Sequence, residues 1–199
     1  MLTIIGLGNP LPEYVKTRHN IGEHVVSAFV KGEDVEMTPK KLFLAHLGKG
    51  KVGSKSVQFV LPQTFMNNSG KTVKAMYPNS TSKDEYDDIL VIHDDVDMPL
   101  GVTKIMYDRN SGGHKGVESI NRALKTKKYY RLKIGVIPTD AKGNMRKPGP
   151  EKMQNFIVGA FNDAEWTVLK KTTKKVKEIV ETFVLEGPVK AMELANRRD

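Results

Sequence analysis

The stretch Asp88-Ile89-Leu90-Val91-Ile92-His93-Asp94-Asp95-Val96-Asp97 carries the clearest structural signal in this chain. Its short continuous apolar run is the pattern of a strand covered on both faces. That run empties directly into an imidazole and three carboxylates. Upstream, Leu2-Thr3-Ile4-Ile5 reads as a second buried strand entering the tight turn Gly6-Leu7-Gly8-Asn9-Pro10. A helix is expected from about Ile21 to Val30. Leu42–Leu47 and Val57–Leu61, separated by Gly48, Gly50 and Gly53, suggest a hairpin, and Gly70–Tyr77 a helix stopped by Pro78. Downstream, Val102–Tyr107 reads as a strand, Gly116–Leu124 as a helix, Arg131–Ile137 as a strand and Pro138–Pro150 as a loop. Leu169, Val176, Ile179, Val180, Phe183 and Val184 recur at helical spacing, so an amphipathic helix is expected over about 163–185, with Lys170, Lys171 and Lys174 among its wet-face residues. Strands alternating with helices imply an α/β fold: one domain over 1–199, a sandwich with a mixed, mostly parallel central sheet flanked by helices.

A length of 199 residues suits one core at the ~100–200 residues usual for a domain. The lack of cysteine excludes disulfides and every thiolate site, whether zinc-binding, iron–sulfur or nucleophilic. No apolar run approaches the ~18 residues of a membrane span, and the start MLTIIGLGNP lacks the charged region and cleavage site of a secretory signal. The formal net charge of +9 is concentrated: residues 104–154 hold 13 Lys/Arg against 4 Asp/Glu, and the remainder balances at 19 against 19. A one-sided basic field suits a polyanionic partner, although a solvated lysine-rich surface would look the same.

In open α/β sheets, sites gather at the carboxyl ends of strands. Three such places carry chemistry here: Gly6-Leu7-Gly8-Asn9-Pro10 with Thr17-Arg18-His19-Asn20; Pro62-Gln63-Thr64-Phe65-Met66-Asn67-Asn68-Ser69-Gly70; and His93-Asp94-Asp95-Val96-Asp97 with Ser111-Gly112-Gly113-His114-Lys115-Gly116. A dinucleotide fingerprint fails, because the third glycine of G-x-G-x-x-G would fall on Leu11. A phosphate-binding P-loop fails on spacing and on the missing Ser/Thr after Lys115. A metal held by these acids with His19 or His93 lacks an H-x-x-x-H pair or comparable spacing, so no metal and no cofactor are expected. What remains is a His–carboxylate pair, in which a strand-end Asp aligns an imidazole that takes a proton from water. Histidine, with an unperturbed pKa of about 6.5, suits general-base work near neutrality, although a lone His is more often structural.

The combination Gly6-Leu7-Gly8-Asn9-Pro10…Tyr14…Thr17-Arg18-His19-Asn20-x-Gly22 strongly resembles the bacterial-type peptidyl-tRNA hydrolase family. Pro62-Gln63-Thr64-Phe65-Met66-Asn67-x-Ser69-Gly70, His93-Asp94-Asp95-x-Asp97-x-Pro99-x-Gly101, Gly112-Gly113-His114-x-Gly116 and Arg131-Leu132-Lys133-Ile134-Gly135 match it in the same order, from about residue 2 to 160. The resemblance implies an esterase that cleaves the bond between a peptide's carboxyl end and the 3′-terminal ribose of peptidyl-tRNA, recycling tRNA without a metal. It makes His19 the general base and Asp94 the group that holds its tautomer. Asn9, Tyr14, Phe65, Met66, Asn67 and the Lys115 position become substrate-binding residues, with Asn67 in an oxyanion-type role, Asn9 on the peptide, and Tyr14 and Phe65 against the tRNA end. The same residues have local alternatives: Asn9 can serve its turn, Asn67 can cap the next helix, and Phe65 can be core.

The chain departs from the family pattern at several points. Lys115 stands where the family has Asn, and Lys only donates hydrogen bonds. Of the two basic residues that clamp a tRNA phosphate, one falls on Lys133 and the other on Met106. Lys104, two residues earlier and so on the same strand face, is the expected substitute. The glycine after Asn-Pro is Leu11, and the loop before Phe156 is longer than in typical bacterial members. A monomer in the cytoplasm is expected, or in mitochondria should the chain be eukaryotic. A non-catalytic, splicing-factor-like RNA-binding member of the same fold is the alternative function, and a hydrolase of small esters a third.

Overall fold

Strands β1 (Leu2–Gly6) and β5 (Tyr86–Pro99) lie side by side at the centre of a seven-stranded sheet, in parallel, with Ile4 opposite Leu90 and Gly6 opposite Ile92. The structure, a computed structural model, describes residues 1–197. The other strands are β2 (Thr38–Lys40), β3 (Ala45–Val52), β4 (Lys55–Pro62), β6 (Thr103–Tyr107) and β7 (Tyr129–Ile137), and the order across the sheet is β2-β3-β4-β1-β5-β7-β6. The four central strands β4, β1, β5 and β7 run parallel, whereas β2–β3, β3–β4 and β6–β7 pair antiparallel. This is the mixed α/β sheet expected from the alternation of elements.

Because side chains alternate across a strand, the sheet separates two apolar layers. Ile4, Leu90 and Ile92 face helices α1 (Ile21–Gly32) and α5 (Asp163–Leu185), with α6 (Pro188–Asn196) behind them through Ala191 and Ala195. Ile5, Ile89 and Val91 face α2 (Gly70–Met76) and α3 (Lys115–Leu124) through Val73, Val117, Ile120 and Leu124. Each fully buried Ile, Leu or Val contributes ~1.5–3 kcal/mol, so a strand covered on both faces is the most strongly held element of the sheet. No helix among the described residues is long and apolar enough to cross a membrane.

Several elements differ from the sequence reading. The hairpin strand expected from Leu42 begins at Ala45, because Lys41–Phe43 form a 3₁₀ turn that ends on Leu44 in the left-handed region at φ 50°. Gly48 and Gly50 do not make the turn. They lie inside β3, where a side chain would collide with Met37 or Val35, and the chain reverses at Gly53-Ser54, between paired Val52 and Lys55. β5 runs on through His93–Asp97 to Pro99, so the acids belong to a strand extension and not to a turn. Three elements were not expected: β2, helix α4 (Pro150–Ile157), which contributes no fully buried residue, and α6, whose buried residues are two alanines. The 138–149 segment holds one isolated bridge, Thr139 to Met145, and a turn organised by the Asp140 carboxylate, which accepts from the backbone N–H of Lys142 and Asn144.

Candidate active site

Two of the polar strand ends meet through one close approach. A Cβ on Gly22 would stand 2.2 Å from the carbonyl oxygen of Ile92, so only glycine lets the start of α1 rest on β5. The 3₁₀ turn Arg18–Asn20 that leads into α1 therefore lands beside Asp94. There His19 Nδ1 lies 2.8 Å from Asp94 Oδ1, and His114 Nε2 lies 3.0 Å from the same oxygen. His114 is the N-cap of α3, and its Nδ1 accepts from the Val117 N–H at 3.3 Å. The proton of a neutral His114 is thus on Nε2 and is donated to Asp94. His19 in turn donates Nδ1–H to the carboxylate, which leaves its Nε2 lone pair without a hydrogen bond among the described residues.

Burial works against the Asp94 charge, but His19 and His114 beside it hold its carboxyl well below the usual carboxylate range. Asp94 is 1% exposed and stays ionised. Burial lowers His19, the Asp94 charge and hydrogen bond outweigh it, and Lys115 takes a little back, so its net pKa lies above the usual 6.5. His93 differs. It is enclosed, its Nδ1 donates to the Asp94 carbonyl at 2.7 Å, and burial together with His114 and Arg131 pushes it well below 6.5. It is a neutral ring packed edge-on against His114, with centroids 4.6 Å apart.

Two loops are tied together under this network. The Asn20 side chain accepts from the Asn9 N–H and donates to the Asn9 carbonyl, both at 2.9 Å, and donates also to Glu23. The backbone of Asn9 is held on both sides, and its Oδ1 accepts from the Met66 N–H at 2.8 Å. Its Nδ2 has no partner among the described residues and faces the cleft. Met66 itself packs into the α2–α3 core. Asn67 is exposed and does not cap α2, whose N-cap is Ser69. Phe65 is exposed to 49% and is not core.

These groups line a cleft of about 680 Å³ that includes Asn9, His19, Phe65, Met66, Asn67 and Asp94, with Lys115 at its edge on the first turn of α3. Its far wall is α4, through Met153, Gln154 and Ile157. Lys133 also lines it, in an ion pair with Asp95. Lys104 lies outside the cleft but directly opposite Lys133 in the β6–β7 register, as Met106 is opposite Arg131. Both lysines therefore project from one face of the sheet. Tyr14 does not line the cleft; it is half-buried, and its carbonyl accepts from the Thr17 hydroxyl. The sequence reading gave no role to His114, Asn20 or α4. His114 caps α3 although histidine is not among the usual N-cap residues, so no local signal singled it out; α4 does carry a helix-start mark, Pro150 at its first position.

The donor atoms of His19, Asp94 and His114 lie within 4.8 Å of one another, close enough to surround an ion. The chemistry of the set opposes it, because His114 cannot offer an Nε2 lone pair without giving up the Val117 cap. The cluster is better suited to holding protons than a metal.

A family model described as peptidyl-tRNA hydrolase matches residues 3–199. The chain belongs to the peptidyl-tRNA hydrolase family. The peptidyl-tRNA hydrolase of Thermodesulfovibrio yellowstonii is 36% identical over 200 residues, spanning 99% of this chain and 100% of that protein. That of Aquifex aeolicus is 35% identical over 196 residues, 98% and 96% of the two chains. The crystal structure of peptidyl-tRNA hydrolase from Acinetobacter baumannii superposes with a TM-score of 0.85 at 26% identity, covering 100% of this chain and 96% of the other. The peptidyl-tRNA hydrolase match thus continues through α5 and α6, past the last recognisable motif.

Proposed function

We propose that the chain hydrolyses the ester between the carboxyl end of a peptide and the 3′-terminal ribose of tRNA, freeing the tRNA for reuse, with water activated by His19. The observation that carries this reading is the buried Asp94 carboxylate, which holds two imidazoles of which His19 keeps an unpaired Nε2 at the cleft. A water at Nε2 gives its proton to His19 as its oxygen attacks the ester carbonyl, and Asp94 stabilises the imidazolium that forms. When the carbonyl carbon–ribose oxygen bond breaks, the imidazolium returns that proton to the leaving 3′ oxygen. His114 Nε2–H orients the carboxylate from the other side. The exposed Asn67 amide donates to the oxyanion, a role that can contribute ~3–4 kcal/mol. The free Nδ2 of Asn9 donates to a peptide carbonyl, Phe65 offers a face for an unpaired base, and Lys133 with Lys104 binds a terminal phosphate of the tRNA.

The test is release of an N-acetylated amino acid from tRNA by the parent protein and by His19→Ala. The variant loses ~10²–10⁴ in turnover and keeps its affinity for tRNA, because it lacks the proton acceptor and not the basic surface. Near-normal turnover in the variant would overturn the mechanism. An inert parent that binds tRNA would favour the RNA-binding alternative.

A further inference from the structure

Arg18 precedes the proposed general base in the same 3₁₀ turn, yet its side chain points away from the chemistry. Its Nη2 donates to both carboxylate oxygens of Glu165 at 2.9 Å. Its Nη1 donates to the carbonyls of Gly159 at 3.1 Å and Ala160 at 3.0 Å, just past the end of α4. The guanidinium lies 4.2 Å from the ring centre of Phe156 and 5.2 Å from that of Phe161. The backbone repeats the connection: the Arg18 N–H donates to Gly159, and the Phe161 N–H to Lys16. Glu165 is fixed in turn, since it forms the capping box of α5 with Asn162. One buried fork therefore joins the catalytic turn, the last turn of α4 and the first turn of α5.

The joint matters because α4 meets the core sparingly, through Phe156 and Ile157, which are partly buried against it. The helix contributes no fully buried residue. It nonetheless supplies Met153, Gln154 and Ile157, and Val158 after it, to the lining of the cleft that also holds Phe65 and Met66. We propose that Arg18 is a positioning residue for substrate binding: it fixes the α4 wall at a set distance from His19, so that the peptide portion of the substrate is gripped beside the base. This rests on the function proposed above. Arg18 is not among the residues that line the cleft, so its loss acts on KM and leaves the chemical step alone.

Arg18→Lys keeps the charge but loses the fork and the flat stacking face. With a tetrapeptidyl-tRNA, KM rises about tenfold, while kcat and the acid limb of the pH profile set by His19 stay those of the parent. Phe156→Leu leaves the Arg18–Glu165 pair intact and loosens only the α4 side, so it shifts KM in the same direction by a smaller factor. Melting temperatures of both variants report whether each is folded at the assay temperature. If the folded variants keep the parental KM, or lose kcat in proportion to the folded fraction alone, Arg18 is structural support and the proposal fails. A displaced acid limb in both variants would mean that the joint acts on His19 itself, which also overturns it. A parent that releases nothing from peptidyl-tRNA would overturn the functional reading together with this one, whereas an active parent with unresponsive variants would overturn this one alone.

Discussion

Replacing Asp94 by Asn tests the proton network at its centre. The substitution keeps the shape of a group that meets His19 at 2.8 Å and His114 at 3.0 Å on one oxygen, but removes its charge. In the proposed mechanism the imidazolium formed on His19 sits beside a carboxylate that is 1% exposed. Two unit charges ~4 Å apart at an effective dielectric of ~20 attract by about 4 kcal/mol, which corresponds to a rate factor of about 10³ at ~1.4 kcal/mol per decade. An amide turned to present its NH₂ would in addition force His19 into the tautomer with Nε2 protonated, useless as a base. The pH profile carries an independent sign. The base is active when neutral, so kcat/KM rises with pH through the His19 pKa, which in the parent lies above 6.5 because Asp94 outweighs burial. Without the carboxylate only burial and Lys115 remain, and both lower that pKa. The acid limb of Asp94→Asn therefore moves to lower pH while the plateau falls about 10³-fold. Release of N-acetylated amino acid from tRNA, measured from pH 5 to 9, checks both. A plateau within tenfold of the parent and an unmoved limb would refute the electrostatic role of Asp94.

His114→Ala removes the second donor to Asp94 and the cap of α3; turnover falls about tenfold, with a loss of ~1 kcal/mol in stability by urea unfolding. Charge reversal at Lys104 and Lys133 weakens tRNA binding and lowers the slope of log affinity against log salt by ~1 for each phosphate no longer neutralised, whereas reversal at the exposed Lys170 and Lys174 of α5 does much less; equal effects would mean that only diffuse charge matters. Lys115→Asn relieves the charge that lowers His19, so the acid limb moves slightly to higher pH, and the salt dependence of binding weakens while selectivity between short and long peptides is kept; an altered peptide preference with unchanged salt dependence would place the Lys115 side chain at the ester instead. Activity is indifferent to chelator, and a loss restored by a divalent ion would bring the His19–Asp94–His114 cluster back as a metal site.

Short-range patterns in the chain determined a good deal. The apolar run Ile89–Ile92 marks β5 because a strand covered on both faces needs no alternation, and the helical recurrence from Leu169 to Val184 marks α5 because one stripe must face the core. The residues that close on the cleft were legible as polar groups at strand ends, since an α/β sheet opens there. Tertiary structure alone decided what those groups do to one another. His19 and Asp94 are 75 positions apart and Arg18 and Glu165 are 147 apart, so neither pairing has a local signature. The placement of Lys104 beside Lys133 follows from the β6–β7 register, which the strand's own alternation could not supply. Gly48 and Gly50 look like turn residues in a linear reading, yet serve in β3 because the 35–37 segment crosses over them. Helices α4 and α6 bury too little, or only alanines, to print a stripe on the sequence. Periodicity records how an element meets the core, and these two meet it sparingly: α4 through the partly buried Phe156 and Ile157, with Arg18 bonded just past its end, and α6 through two alanines.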